Sequence, residues 1–223
     1  MAAPTQVFYL EVNMHNTQKL ILFHHVSILA GLWYYGFNFQ YAIIVLLGCI
    51  TWAYLIGHRG LHIYLAHHAY EDNMKSYIYT LGALVTGVGS PLTFAATHRQ
   101  HHKFHDTEKD PHSPEHIGWY NVWFMNYNSQ YISPRLIKDY LKSDFQKFMN
   151  RHWYKITALM LLILALIDIR LVCFVVAPFS IYTFHGSSAI NVFGHLKGAP
   201  RNSKEVLFWN PWDTKHKEHH EWK

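Results

Sequence analysis

Tyr41-Ala42-Ile43-Ile44-Val45-Leu46-Leu47-Gly48-Cys49-Ile50-Thr51-Trp52-Ala53-Tyr54-Leu55-Ile56-Gly57 is a run of 17 residues without a formal charge. Wound as a helix rising about 1.5 Å per residue, such a run approaches the ~30 Å of hydrocarbon in a bilayer. Towards the N-terminus the apolar zone begins near Leu20 and breaks at Gly36-Phe37-Asn38-Phe39-Gln40. Residues 20–36 and 41–57 therefore read as a transmembrane hairpin. Trp33, Tyr34, Tyr35, Phe37, Phe39 and Tyr41 crowd the break, as expected where helix ends meet lipid head groups. A second apolar zone, Trp153 to Ile190, is interrupted by Asp168-Ile169-Arg170 and gives spans at 153–169 and 171–190, or else one longer span.

The expected architecture is all-α and membrane-embedded, a single domain over residues 1–223 with four transmembrane helices in two hairpins. Half of the 223 residues are hydrophobic and 15% are charged, yet mean hydropathy is near zero, so a polar part must stand outside the bilayer. With four spans, both termini and every long polar segment share one side, which carries all of the 19 Lys and Arg except Arg170. The excess of positive charge makes that side cytoplasmic. The net charge of +5 is scattered among apolar runs and forms no basic stripe, which argues against nucleic acid and fits anionic lipid or an acidic partner. Cys49 and Cys173 lie in apolar runs and read as reduced packing residues. Met1 to Lys19 has no basic stretch leading to a cleavage site, so anchoring is expected from internal segments.

Two shorter segments complete the outline. Tyr77 to Gly89 is apolar but only 13 residues long and ends in Gly-Ser-Pro, which suits a re-entrant or interfacial helix. Ser133-Pro134 is a helix-start signal. The spacing of Leu136, Ile137, Tyr140, Leu141, Phe145, Phe148 and Met149 against Lys138, Lys142 and Lys147 predicts an amphipathic helix on the membrane surface.

The chain holds 19 histidines, and most sit just outside the apolar runs. His98-Arg99-Gln100-His101-His102 and His216-Lys217-Glu218-His219-His220 are two copies of one pattern, which on a helix brings the first histidine to the face of the other two. Two such triplets plus further histidines exceed what one ion can hold, so a two-metal centre is expected. A third cluster, Gly57-His58-Arg59-Gly60-Leu61-His62 through His67-His68, offers two pairings. His58 with His62 suits a regular helix, whereas His62 with His67 is offset by about 140° and needs a distortion or helix end. Asn191 and His195 are four apart at the end of the last span and point the same way. His24, His25, His105, His112, His116, His152 and His185 are isolated or off the pattern and read as non-ligands.

In these boxes the sequence resembles the membrane fatty acid desaturases, in particular the acyl-CoA or acyl-lipid Δ9 branch. The resemblance rests on His62-x4-His67, His98-x2-His101-His102 and His216-x2-His219-His220 in that order, with the run from His98 through Asp110-Pro111-His112-Ser113 and then His116-Ile117-Gly118-Trp119. It implies that His62 and His67 are the first pair, that His195 is a ninth histidine ligand, and that Asn191 reaches one metal through water. It also implies a cap on four spans, two iron ions, O2 as co-substrate and cis desaturation of a saturated acyl chain at Δ9. The acyl group would be carried by CoA, a carrier protein or a glycerolipid. The chain departs from the family where Trp212-Asp213-Thr214-Lys215 precedes the last box and where His68 replaces an arginine.

Iron with O2 suits the attack on an unactivated methylene, while zinc can occupy the same imidazoles in purified protein. Leu46 and Ile50, three to four turns before His62, are expected at the end of an acyl tunnel. There is no haem-binding His-Pro-Gly-Gly segment and no cysteine cluster, so electrons must come from a separate ferredoxin or cytochrome b-type donor. Lys103, Lys109, Lys197, Arg201 and Lys204 are candidate contacts for it. The competing readings are a di-iron membrane hydroxylase or alkane monooxygenase and, outside enzymes, a haem- or metal-binding membrane electron carrier.

Overall fold

The structure, a computed structural model, describes residues 14–127, 132–196 and 200–221. All regular structure among them is helical. Four long helices carry the fold: α1 (Met14–Tyr35), α2 (Phe39–His67), and, much later, α7 (Asp144–Ile167) and α8 (Ile169–Phe193). Between them lie α3 (Met74–Ala83), α4 (Pro91–Phe104), α5 (Pro114–Ile117) and α6 (Trp119–Trp123); α9 (Lys204–Trp209) and α10 (His216–His220) follow.

The breaks fall where the chain supplies caps. Gly36 takes φ +78 after α1, a conformation cheap only for glycine, and the Asn38 side chain then accepts the Tyr41 N–H to start α2. Asp168 alone separates α7 from α8, accepting the Arg170 N–H and pairing with its guanidinium at 2.6 Å. Ser90, with Pro91 in the first turn, starts α4. α1 and α2 both pack on α8. A Cβ at Gly31 would come within 2.9 Å of Cys173 and Phe174, so only glycine permits this approach of α1 to α8.

Outward-facing Leu22, Leu29, Ile44, Leu47, Leu159, Leu162 and Leu166 are all more than half exposed, an apolar surface too large to leave in water. By length and composition, α2 and α8 can each cross a membrane. α1 and α7 open with polar turns, His15-Asn16-Thr17-Gln18-Lys19 and Asp144 through Arg151, and fall short of the same measure.

The amphipathic surface helix expected from Ser133 does not form. Ser133 caps nothing, and two short 3-10 turns, Pro134–Ile137 and Tyr140–Lys142, lead to Ser143, which caps α7. Ile137 and Tyr140 are fully buried instead of lipid-facing, and the Tyr140 hydroxyl donates to the Leu65 carbonyl at 2.6 Å. The cause is Asp139, which accepts the Tyr70 N–H at 2.6 Å and both terminal nitrogens of Arg99 at 2.8 and 2.9 Å. Burial, the largest single influence, would raise the Asp139 carboxyl; the Arg99 hydrogen bonds, the backbone N–H groups of Tyr70 and Tyr140 and the Arg99 charge together outweigh it and hold it low.

Arg99 also donates to the carbonyls of Ala66, His68 and Leu136, each at 2.7 Å, so all five of its N–H donors are engaged. It ties the end of α2 to α4 and to the 134–142 segment. Arg99→Lys keeps the charge but not the fork. It is expected to cost about 1.5–3 kcal/mol or more, the worth of a charged hydrogen bond, read as a lower melting temperature in detergent. An unchanged melting temperature would remove Arg99 from this role.

Candidate metal centre

The local winding of α2 decides which of its histidines can act together. From Ala53 to His67 the helix is wide, with i→i+5 hydrogen bonds, and residues five apart therefore stack along one face. His62 and His67 bring their Nε2 atoms to 3.3 Å. The distortion that this pairing needs is thus present. His58 stands behind them, with its Nδ1 at 3.4 Å from the Nδ1 of His62.

Each H-x-x-H-H triplet divides between two clusters, because residues four apart on a helix share a face more closely than residues three apart. His98 and His102 of α4 join His62, His67 and His219; the potential ligand atoms of these five lie within 4.8 Å of one another. His101 turns to the other side and meets His195 and His220, again within 4.8 Å. His216 completes this second cluster, its Nε2 at 3.0 Å from that of His195. The C-terminal triplet is thus split in the opposite sense to the first. His102 and His220 stack at 4.3 Å between centroids, so the clusters adjoin.

The donor set fits metal ions. Nε2 atoms converge at 2.8 Å (His67 with His98), 3.1 Å (His62 with His219) and 3.2 Å (His101 with His195). Two imidazole nitrogens each about 2.0–2.1 Å from one ion and at right angles lie about 3 Å apart. The Nε2 of His102 is buried with no protein partner, as an atom aimed at an ion would be. Burial, and then the repulsion of neighbouring imidazoles, holds His98 and His101 well below the ordinary histidine range, His102 at about 2 and His219 at about 4. They are neutral at pH 7, the form that binds metal.

Three acids carry a role not read from the sequence. Asp110 accepts from the Nδ1 of His101 at 2.8 Å, Asp106 from that of His195 at 3.2 Å, and Asp213 lies 3.4 Å from that of His216. Such a partner places the proton on Nδ1 and leaves Nε2 free for a metal. Their signal was available: Asp213 precedes His216 by three residues, and Asp106 and Asp110 follow the middle box closely. Asp106 adopts φ +58 to make its contact, a strained conformation that aspartate tolerates better than most residues.

His112, read as a non-ligand, is buried against His101 with rings 4.0 Å apart, and with Asp110 forms a third grouping. Asn191 and Tyr127 face the same space. The space is a cavity of about 990 Å3 including its mouth, walled by Ala53, Gly57, Leu61, Phe94 and Ile190 and bordered by histidines of both clusters. Leu46 and Ile50 do not line it. Leu46 is half exposed on the outer surface, and the α2 residues at the cavity are one to two turns further on, at Ala53 and Gly57. Lys103, Lys109 and Lys204 are exposed; Arg201 is half-buried and tied to the Phe193 carbonyl at 2.8 Å, and Lys197 lies outside the described residues.

One histidine pair does face across long helices, as an electron carrier would require. The Trp123 indole can only donate, and it meets the Nδ1 of His185 at 3.1 Å. His185 must therefore donate from Nε2 to the Nε2 of His25 at 3.4 Å, and His25 from Nδ1 to the Ile21 carbonyl at 2.8 Å. The pair is hydrogen-bonded to itself, with no room for a flat macrocycle between the rings.

The fold and the two histidine clusters define a class: a helical protein with histidines grouped so that they could hold metal ions and two helices apolar enough to enter a membrane. The chain is 31% identical to delta-9 acyl-lipid desaturase 2 of Arabidopsis thaliana over 44% of its own length and 35% of the relative's. It is 28% identical to an acyl-CoA 5-desaturase of Anemone leveillei over 68% of its length and 49% of that protein's. A probable chloroplastic lipid desaturase of Arabidopsis thaliana is 26% identical over 61% and 39%. No family model matches the chain. Its matches span between about a third and half of the relatives' length. In these stretches the chain is similar to proteins named as fatty acid desaturases.

Gly194 closes the turn that carries His195. A Cβ there would collide with the Ile190 carbonyl and come within 2.7 Å of the Nε2 of His216. Gly194→Ala is therefore expected to lower metal affinity by about 10–100-fold, the range for a displaced ligand support, with helical circular dichroism unchanged. Undiminished metal content on elemental analysis would contradict the placement of His216.

Proposed function

We propose that the chain is an O2-dependent fatty acyl desaturase that inserts a cis double bond, at Δ9, into a saturated acyl chain at a two-iron centre. The observation that carries this reading is the pair of adjoining histidine clusters bordering one largely apolar-walled cavity. In this reading His62, His67, His98, His102 and His219 hold one iron. His101, His195, His216 and His220 hold the other, with Asn191 beside it. When bound, reduced iron with O2 supplies an oxidant strong enough to take hydrogen from an unactivated methylene. The balance is one O2, two electrons and two protons consumed with two hydrogens of the acyl chain, and two waters released.

The protein's own part is placement. Ala53, Gly57, Leu61 and Ile190 offer methylenes an apolar wall and exclude water, while the acids behind His101, His195 and His216 keep the imidazoles in one tautomer and orientation. In the same reading residues 1–223 form one domain. The four long helices cross the membrane as two hairpins, and the centre and both termini face the cytoplasm. A ferredoxin or cytochrome b-type donor docks over exposed Lys103, Lys109 and Lys204. The acyl substrate is presented on CoA, a carrier protein or a glycerolipid.

Expression in a host with a compatible reductase, followed by mapping of double bonds in total fatty acids, tests the reading, with His101→Ala as control. New cis-Δ9 monoenes in the wild-type strain alone are expected. Hydroxylated acids in their place would move the assignment to a hydroxylase, and identical lipids in both strains would overturn it. Purified protein is expected to carry two metal ions per chain, with zinc able to replace iron because affinity does not exclude it.

A further inference from the structure

The two histidine clusters are unlike in what stands behind them. In the cluster of His101, His195, His216 and His220, three Nδ1 atoms face the carboxylates Asp110, Asp106 and Asp213. His101, His195 and His216 are also buried, with 2%, 0% and 5% of their surface exposed. In the cluster of His62, His67, His98, His102 and His219, none of the five is fully buried and His67 is exposed. There the Nδ1 of His62 faces His58, an imidazole with no negative charge. Asp213 also acts at longer range on His219 and on His58.

An imidazole that shares its Nδ1 proton with a carboxylate is a stronger donor through Nε2, and the nearby negative charge attracts a dication directly. Both effects act with less screening where the site is buried. We propose that the two metal positions are unequal: the inner, carboxylate-backed position binds a divalent transition ion tightly, and the outer position, backed by His58, exchanges it. The proposal rests on the reading that both clusters hold metal. It assigns Asp106 and Asp213 as positioning residues of the inner ion, and His58 as the residue that keeps the outer one weak.

His58 makes the idea testable by gain as well as by loss. In histidine the Nδ1 and in aspartate the Oδ1 are both attached to Cγ, so His58→Asp sets a carboxylate oxygen close to the present Nδ1, 3.4 Å from His62. Asp106→Asn keeps an oxygen acceptor at the Nδ1 of His195, removes the charge, and suits the φ of +58.

The test uses the full chain in detergent, stripped of metal and titrated with ferrous iron under argon against a competing chelator. Two classes of one ion each are expected, separated by about tenfold or more. Asp106→Asn is expected to weaken the tight class by about 10–100-fold and leave the other within about threefold. His58→Asp is expected to strengthen the weak class alone. Should Asp106→Asn fail to fold, the gain in His58→Asp carries the test. Two ions in a single class, or variants that shift both classes alike, would overturn the inequality while leaving the two-metal reading intact. A chain that binds fewer than two ions overturns both.

Discussion

Imidazole nitrogens brought to about 3 Å of one another are the constraint on which the structure turns. A neutral imidazole has one donor and one acceptor, and where Nδ1 already donates to an acid, Nε2 has only a lone pair to offer its neighbours. Lone pairs aimed at one another repel unless a cation stands between them. The arrangement therefore makes chemical sense as a ligand set, and the rest of the chain can be understood as what holds nine such rings at that separation.

The support is of two kinds. Arg99, lodged between His98 and His101 in sequence, spends its whole guanidinium on the end of α2, the 134–142 segment and Asp139. The helix that carries one triplet is thereby locked to the helix that carries His62 and His67. Electrostatic support comes from Asp106, Asp110 and Asp213, whose direct contacts are all to one cluster. Packing and charge thus divide the labour: the first sets where the rings are, the second sets which nitrogen of the ring is free.

The wide turn of α2 joins the site to the apolar part of the molecule. The same helix presents Leu47 and Ile44 outward, Ala53 and Gly57 to the cavity, and His62 and His67 to the outer cluster. A regular helix would have aligned His58 with His62 and turned His67 away from the cluster. The widening costs helix regularity and gives the cluster its fifth imidazole.

Residue types and their order along the chain were enough to indicate the long helical runs, the breaks at Gly36 and Asp168, and the two H-x-x-H-H triplets that come together, because each rests on local periodicity or on chemistry that few side chains share; His67 and His195 were indicated only by the family resemblance. Three matters were settled only by the tertiary structure. The split of each triplet between two clusters depends on how α4 and α10 face each other, which spacing within one helix does not reveal. The acids behind His101, His195 and His216 are ordinary loop residues until a distant imidazole meets them. Ser133 to Met149 had the pattern of an amphipathic helix, yet Asp139 was drawn to Arg99 from 40 residues away and broke it. Sequence alone thus determined which residues could serve; long-range contacts, invisible to periodicity, decided which of them serve together.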